Sequence, residues 1–277
     1  MKKLALLSTA LLTLGACSPS DYSHFVLGLG NPSNVPAGQY AEKILQYYGI
    51  DKDALDQKGV IAYGNNVGEV TTLIKLGEVG AGVIYRSDAT TYELKIVGRA
   101  TEEMCGKVLY PAAIIKNNNS ELVKNASKSF LEYLTNADAM EEFNKVGFVS
   151  ACDAKEISSL TSENVEINVF AATSLTASLN AIITKYKVVA PNVNVIVNYA
   201  ASGTLQNQIE TNIEACNIFI SAAQKQMNAL QEKNLIETST RFDILENEVC
   251  LCVPNTNPYN INSFEDLKNI LNSILAK

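Results

Sequence analysis

The chain has 277 residues, 47% of them hydrophobic, and carries 22 Lys and Arg against 29 Asp and Glu, a formal charge of −7. Such a length can bury one large core or two smaller ones. The acidic balance argues against a nucleic-acid partner, which would need clustered Lys and Arg, and leaves any anion site dependent on short-range hydrogen bonds. The six cysteines show neither metal-ligand spacing nor a dense disulfide framework.

Residues 1–17 read as a leader, not as fold. Lys2 and Lys3 precede the apolar run Leu4 to Gly15, too short for a permanent bilayer span. Leu14-Gly15-Ala16-Cys17 resembles a bacterial lipobox, so Cys17 is the expected site of cleavage and lipidation. An ordinary cleaved signal peptide with a chance cysteine is the alternative, and either places the protein outside the cytoplasm. Residues 18–24 form a polar tether holding His24, the only histidine, which reads as surface decoration.

Phe25 to Leu29 reads as a buried strand and Gly30 to Asn34 as a turn. Val35-Pro36-Ala37-Gly38 opens a helix to about Tyr48, with Pro36 near the first helical position, where its missing N–H costs nothing. Asn65-Asn66-Val67 caps a helix to Leu76, and Ala81–Tyr85 is a strand that ends in Arg86-Ser87-Asp88. Gly106 to Ile115 is a long apolar strand whose Pro111 assigns it to a sheet edge or a crossing segment. Two helices follow, about 120–134 and 137–146. Residues 150–165 lack apolar period and form the best internal linker.

After the linker, Glu166 to Asn180 reads as an apolar strand, a small-residue turn and a helix starting at Thr173 and Ser174. Leu175, Leu179, Ile182/Ile183 and Tyr186 give that helix one buried face. Val193–Asn198 is a strand, followed by Tyr199-Ala-Ala-Ser-Gly-Thr204 and a helix to about Glu210. Asn217–Ser221 is a third strand before a helix from Gln224 to Lys233. Glu248 to Val253 is another, in which Cys250 and Cys252 share a face as buried filler. Ser263-Phe-Glu-Asp266 matches a capping box before a last helix to Ala276. Strands alternating with helices make an α/β layered protein.

Three strand-to-helix turns share one chemistry: Ala172-Thr-Ser174, Ala201-Ser202-Gly203 and Val35-Pro-Ala37-Gly38. Each offers hydroxyls or bare backbone at a helix N-terminus, and none offers Lys, Arg, Asp or Glu. Singly, each is an ordinary helix cap. Together they suit an enclosed dianion bound by neutral donors and helix dipoles.

Five motifs resemble the molybdate-binding proteins of bacterial ABC importers: Val169-Phe-Ala-Ala-Thr-Ser-Leu-Thr176, Tyr199-Ala-Ala-Ser-Gly-Thr-Leu-Gln-Asn-Gln-Ile209, Ile218-Phe-Ile-Ser-Ala-Ala-Gln-Lys-Gln-Met227, Leu29-Gly-Asn-Pro-Ser-Asn-Val-Pro-Ala-Gly-Gln-Tyr40 and Gly82-Val-Ile-Tyr-Arg-Ser-Asp-Ala89. The resemblance covers nearly all of Phe25 to Leu267. It implies a two-lobed type II periplasmic-binding-protein fold, each lobe a mixed sheet flanked by helices, with a ligand cleft between the lobes. It also implies a ligand set of Ser174 and Ser202 by hydroxyl and backbone, Ala37 and Val67 by backbone N–H, and Tyr85 by its phenol. The expected ligand is molybdate or tungstate, delivered to the membrane permease of an ABC importer by a lipid-anchored monomer. Neither an enzymatic activity nor a cofactor is expected, and molybdenum enters only as the bound oxyanion. The family usually has aspartate at the positions of Asn217 and Ala223, a departure that bears on lobe stability or hinge behaviour more than on anion binding.

The order of the motifs departs from the family. There the Ser174 and Ser202 motifs come first, and the Ala37 and Tyr85 motifs second. Here the halves are exchanged, as in a circular permutant, with the old termini joined through 150–165. The lobes are then 25–108 with 250–277, discontinuous, and 109–249, continuous. Sulfate, phosphate or a small organic anion on the same fold is the main alternative. Val26-Leu-Gly-Leu-Gly-Asn-Pro32 resembles the opening of peptidyl-tRNA hydrolases, but the histidine base that chemistry needs downstream is absent. A serine hydrolase lacks both its elbow motif and a histidine.

Overall fold

The computed structural model describes residues 22–158 and 160–277. The leader 1–17, the lipidation site Cys17 and the tether up to residue 21 lie outside the described residues; His24 is exposed.

The first part of the chain builds β1 (Leu27–Gly30), α1 (Pro36–Tyr47), α2 (Lys52–Gln57), β2 (Ile61–Gly64), α3 (Val67–Leu76), β3 (Ala81–Tyr85), α4 (Arg86–Thr91), β4 (Lys95–Arg99) and α5 (Glu102–Cys105). It then enters a second sheet with β5 (Val108–Ile114), α6 (Glu121–Tyr133), α7 (Ala137–Lys145), β6 (Val149–Ser150), β7 (Val165–Ala172), α8 (Thr176–Val189), β8 (Val193–Ala200), α9 (Ser202–Thr211), β9 (Ile218–Ile220), α10 (Gln224–Glu232) and β10 (Phe242–Asn247). β11 (Val249–Val253) and α11 (Phe264–Leu275) return to the first sheet. Among the described residues no helix is long and apolar enough to cross a membrane.

The two sheets have one plan. The first runs β2-β1-β3-β11-β4 and the second β8-β7-β9-β5-β10-β6. In each, the first three strands are parallel in the order second, first, third. An antiparallel strand arriving from the other sheet lies beside the third, and a fourth strand pairs with that newcomer. The lobes are therefore joined twice, through 99–108 and through the single residue Glu248 between β10 and β11.

Local chemistry accounts for most element ends. Asn66 Oδ1 accepts from the Glu69 N–H at 3.1 Å to cap α3, and Gly77, left-handed at φ 74°, ends it. Leu175, Leu179, Ile182 and Tyr186 are buried along α8, and the Tyr186 ring packs on Phe130 and Tyr133 of α6 at 5.0 and 4.8 Å. At α11, Ser263 Oγ accepts from the Asp266 N–H, but the Asp266 carboxylate reaches back to Asn262, one residue earlier than a standard capping box. Thr173–Leu175 is a single 3₁₀ turn, so the α-helix proper starts at Thr176.

Of the two placements expected for the Pro111 strand, the sheet edge is overturned, while the crossing between sheets is what β5 makes. β5 is an interior strand, between β10 and β9, despite Pro111. The Pro111 carbonyl accepts from the Ser221 N–H at 3.0 Å, so its ring nitrogen faces the same side, where β9 has already ended at Ile220 and the ladder asks for no further donor. The sequence pattern also passes over α2, β2, α4, β4, α5 and β10, most of them short or half exposed. Residues 151–158 are tied down rather than loose: the Lys155 N–H donates to Thr135 Oγ1, and the Ser158 N–H to Glu132 Oε2.

Asn217 and Ala223 differ in consequence. Asn217 is buried, and its Oδ1 accepts from the Asn168 N–H at 2.6 Å, locking β9 onto β7 as a carboxylate oxygen also would. Ala223 is the N-cap of α10 and supplies no side-chain cap, a loss of about 1 kcal/mol relative to aspartate.

Candidate functional site

The C-terminal ends of β1, β2 and β3 face those of β7, β8 and β9 across the cleft. This is where an open parallel sheet presents helix N-termini, at the point where strand order reverses around the first strand. Val35, Pro36 and Ala37 follow β1, Val67 begins the helix after β2, and Tyr85 ends β3. Ala172 ends β7 and Thr173 and Ser174 follow it, Ala200 ends β8 and Ala201 and Ser202 follow it, and Ala222 follows β9. These twelve residues line one cavity of about 10 Å³. All five residues singled out from the sequence, Ala37, Val67, Tyr85, Ser174 and Ser202, are among them.

Each donor is made available by its local structure. Pro36 has no N–H, so Ala37 carries the first free backbone donor of α1. In α3, Asn66 satisfies Glu69, while the Glu69 carboxylate folds back on the Asn65 N–H, which leaves Val67 at the first helical position with its N–H unused by the cap. Ser202 is fully buried, and its Oγ accepts from the Ala222 N–H at 3.0 Å; its own proton is therefore free to be donated. Ser174 Oγ lies 2.8 Å from the Tyr110 hydroxyl. The Tyr85 phenol makes only a long contact, 3.5 Å, to the Ala222 carbonyl, and burial holds its pKa well above the ordinary range, so it remains a donor.

No Lys, Arg, Asp or Glu lines the cavity. The walls are alanine, valine and proline, and the polar groups are neutral hydroxyls and amides. Among the described residues no cluster of His, Cys, Asp and Glu could hold a metal ion. The set can hydrogen-bond a small acceptor-rich anion, and it contains no nucleophile–base pair.

Contacts between the lobes close the cleft around this point. The Gly203 N–H donates to the Asn34 carbonyl at 2.9 Å. A Cβ on Gly203 would come within 2.6 Å of that oxygen and 2.7 Å of the Asn34 Cα, so only glycine permits the approach. The Thr173 methyl faces the first turn of α3 at Gly68. Sequence reasoning placed Thr173 in the turn but not among the ligands, although its buried Oγ1 has no hydrogen-bond partner, and it missed Ala222, which meets two of the five residues. It also missed Tyr110 and Asn247, which stand behind Ser174. No local motif marks these two, since they belong to β5 and β10, far from Ser174 in sequence.

Asp88, one turn beyond Tyr85, is almost fully buried. Its Oδ2 has no hydrogen-bond partner. Burial pushes its pKa up to about 7, against a smaller opposing effect of backbone and Ser87 hydrogen bonds.

The family model of the bacterial extracellular solute-binding proteins matches residues 14–149 and 167–273. YvgL of Bacillus subtilis (strain 168), assigned as an ABC transporter substrate-binding lipoprotein, is 33% identical over 125 residues, 45% of this chain and 46% of its own. The molybdate-binding protein ModA of Escherichia coli (strain K12) is 35% identical over 123 residues, 44% of this chain and 45% of its own. The chain thus spans a little under half the length of each of these relatives. A phosphate-binding protein of a phosphate ABC transporter from Streptococcus pneumoniae TIGR4 superposes with a TM-score of 0.54, covering 90% of this chain and 96% of its own at 13% identity, a likeness of fold alone.

The sign of the Asp88 effect on stability follows from linkage. A carboxyl whose folded pKa is raised binds its proton more tightly in the native state, so stability falls as pH rises from about 4 to about 7 and is flat above. Asp88→Asn removes that dependence. Denaturant unfolding at pH 4 and pH 8 is expected to show the variant gaining about 2–4 kcal/mol on the parent across that interval; equal pH profiles would contradict the buried-acid assignment.

Proposed function

Because the chain belongs to the bacterial extracellular solute-binding proteins, we propose that it captures molybdate or tungstate outside the cytoplasm and passes it to the membrane permease of an ABC importer. The observation that carries this reading is the convergence of Ala37, Val67, Tyr85, Ser174 and Ser202, from both lobes, on one cavity lined by neutral donors. A tetrahedral dianion offers acceptors in every direction and no donors, which matches a wall of N–H and O–H groups. At about 10 Å³ the cavity is far smaller than the roughly 300–1,000 Å³ of sites for drug-sized organic ligands. The unpartnered Thr173 hydroxyl supports the same reading, since an acceptor in the cavity would relieve it. ModA supplies the choice of molybdate. Anchoring through Cys17 completes the proposal, and YvgL supports it.

Five to seven hydrogen bonds to a charged group, at roughly 1.5–3 kcal/mol each, give a gross term on the order of 10–20 kcal/mol. Dehydration of the ion and lobe closure are subtracted from it. Ser174→Ala and Ser202→Ala are each expected to weaken molybdate binding about 10- to 100-fold in titration calorimetry, and Tyr85→Phe less; unchanged affinity in both serine variants would remove the assigned site. Competition among molybdate, tungstate and sulfate in the same titration identifies the ligand, and a preference for sulfate would replace the molybdate reading. Gly203→Ala, which pushes the lobes apart at Asn34, is expected to lower affinity about 10-fold or more while leaving the stability within about 1 kcal/mol of the parent. Equal affinity would mean that the cleft closes by another route.

The order of the halves belongs to this proposal. We take 25–108 with 250–277 as one lobe and 109–249 as the other, in a chain permuted relative to the molybdate-binding proteins. An ordered comparison of permuted chains aligns one half at a time, and the matches to YvgL and ModA each cover a little under half of both partners. The family model also parts at 150–166, over the proposed junction. A chain opened within 150–165, with Lys277 linked to Tyr22, is expected to fold and to bind molybdate within about 10-fold of the parent. Failure of that chain to fold would count against the permutation.

A further inference from the structure

Behind Ser174 lies a chain of buried hydrogen bonds with only one consistent direction. The Asn247 Oδ1 accepts from the Glu248 N–H at 2.9 Å. A backbone N–H cannot accept, so this contact fixes the amide orientation and turns Nδ2 the other way. Nδ2 has two protons, and two oxygens receive them: Ser87 Oγ at 2.9 Å and Tyr110 Oη at 3.2 Å. Tyr110 therefore accepts from Asn247, and its single proton needs another acceptor. The group in reach is Ser174 Oγ, at 2.8 Å. The reverse arrangement, with Ser174 donating, would leave the fully buried Tyr110 O–H without an acceptor, an arrangement buried polar groups avoid.

Once Ser174 Oγ accepts from Tyr110, its own proton has one place to go. Among the described residues Tyr110 is the only hydrogen-bond partner of that hydroxyl, and Ser174 lines the cavity. Resting on the oxyanion reading above, we infer that Tyr110 and Asn247 are positioning residues that hold the Ser174 hydroxyl as an obligate donor and so disfavour anions that carry a proton. A serine hydroxyl is otherwise ambivalent, able to turn and accept a proton from hydrogen phosphate as readily as it donates to molybdate or sulfate. Ser202 is held the same way by a simpler device, the Ala222 backbone N–H. The Ser174 side of the cavity has no backbone donor in that role, and Tyr110 takes its place.

Specificity here means rejection of one member of a closely matched pair. Sulfate and phosphate are similar tetrahedra, but phosphate keeps at least one proton at neutral pH, and that proton would face donors on every side. A buried donor left facing a donor costs more than a missing contact, so the relay contributes mainly to discrimination.

Titration calorimetry on the full chain with molybdate, sulfate and inorganic phosphate tests this on two variants. Tyr110→Phe keeps the ring packed between Tyr85 and Phe148 and frees the Ser174 hydroxyl to turn. Its molybdate affinity is expected to fall about 5- to 20-fold, and its preference for sulfate over phosphate to drop by about fivefold or more. Asn247→Asp keeps the shape and the Glu248 contact but replaces the donating amide by an acceptor. Tyr110 then gives its proton to the introduced carboxylate and accepts from Ser174, which presents lone pairs to the cavity. The sulfate-to-phosphate preference is expected to fall further than in Tyr110→Phe. A uniform loss for all three anions in Tyr110→Phe would show that the hydroxyl only supports packing, and unchanged preference in both variants overturns the relay. If the parent chain binds none of the three anions, the oxyanion reading falls and the inference with it. Binding by the parent with an unaltered preference in the variants removes the relay alone.

Discussion

Enclosing a dianion in an acidic chain, as proposed, requires stripping it of water without offering a cation in return. Everything about the cavity answers to that constraint. Long-range attraction is unavailable at a charge of −7, so the favourable terms must act within hydrogen-bond distance, where dipoles are strong and oriented. Backbone N–H groups of helix first turns meet the requirement best, because they are rigid, neutral and have no competing intrahelical partner. The parallel strands bring them there. β1, β2 and β7, β8 all end at the cleft, so their following helices begin at it, and each contributes a first-turn donor or a hydroxyl.

That arrangement is repeated, which has a consequence for chain order. In both sheets the strand order is second, first, third, then a strand from the other lobe, then a fourth. The residues lining the cavity obey the same correspondence: Ala37 with Ser174 after the first strands, Val67 with Ser202 after the second, Tyr85 with Ala222 after the third. Each lobe sends one strand into its neighbour's sheet, β5 one way and β11 the other. Exchanging the halves of such a chain leaves strand order, strand direction and cavity contacts unchanged. A permuted protein and its unpermuted relatives can therefore share a fold from end to end while their sequences align only half at a time.

The parts of this molecule that are legible in the sequence are those where chemistry and position lie within a few residues. Pro36 before Ala37, Asn66 before Val67 and the small turns around Ser174 and Ser202 announce helix starts, and helix starts are the site. The Ser174 and Ser202 hydroxyls were readable for the same reason. The Tyr110 and Asn247 contribution was not, because it exists only where β5 and β10 pass behind β7, and a tyrosine inside an apolar strand reads as core. Pro111 misled because the edge rule concerns a missing donor, and its nitrogen faces the side where β9 has ended at Ile220, so none is missed there. Short elements such as α5 and β4 escaped because half-exposed segments of four or five residues carry little periodicity.

The two serines show why identity and orientation must be argued separately. Motif reading places Ser174 and Ser202 in the cavity wall and says nothing of which way their protons point. Ser202 is oriented locally, by the N–H of Ala222 at the end of the neighbouring strand. Ser174 is oriented through Tyr110 and Asn247, and ultimately by the Glu248 N–H at the crossing between lobes, where Arg99 and Arg86 also hold the Glu248 carboxylate at 2.9 and 3.5 Å. The donor character of one cavity hydroxyl is thus tied to one of the two segments that join the sheets.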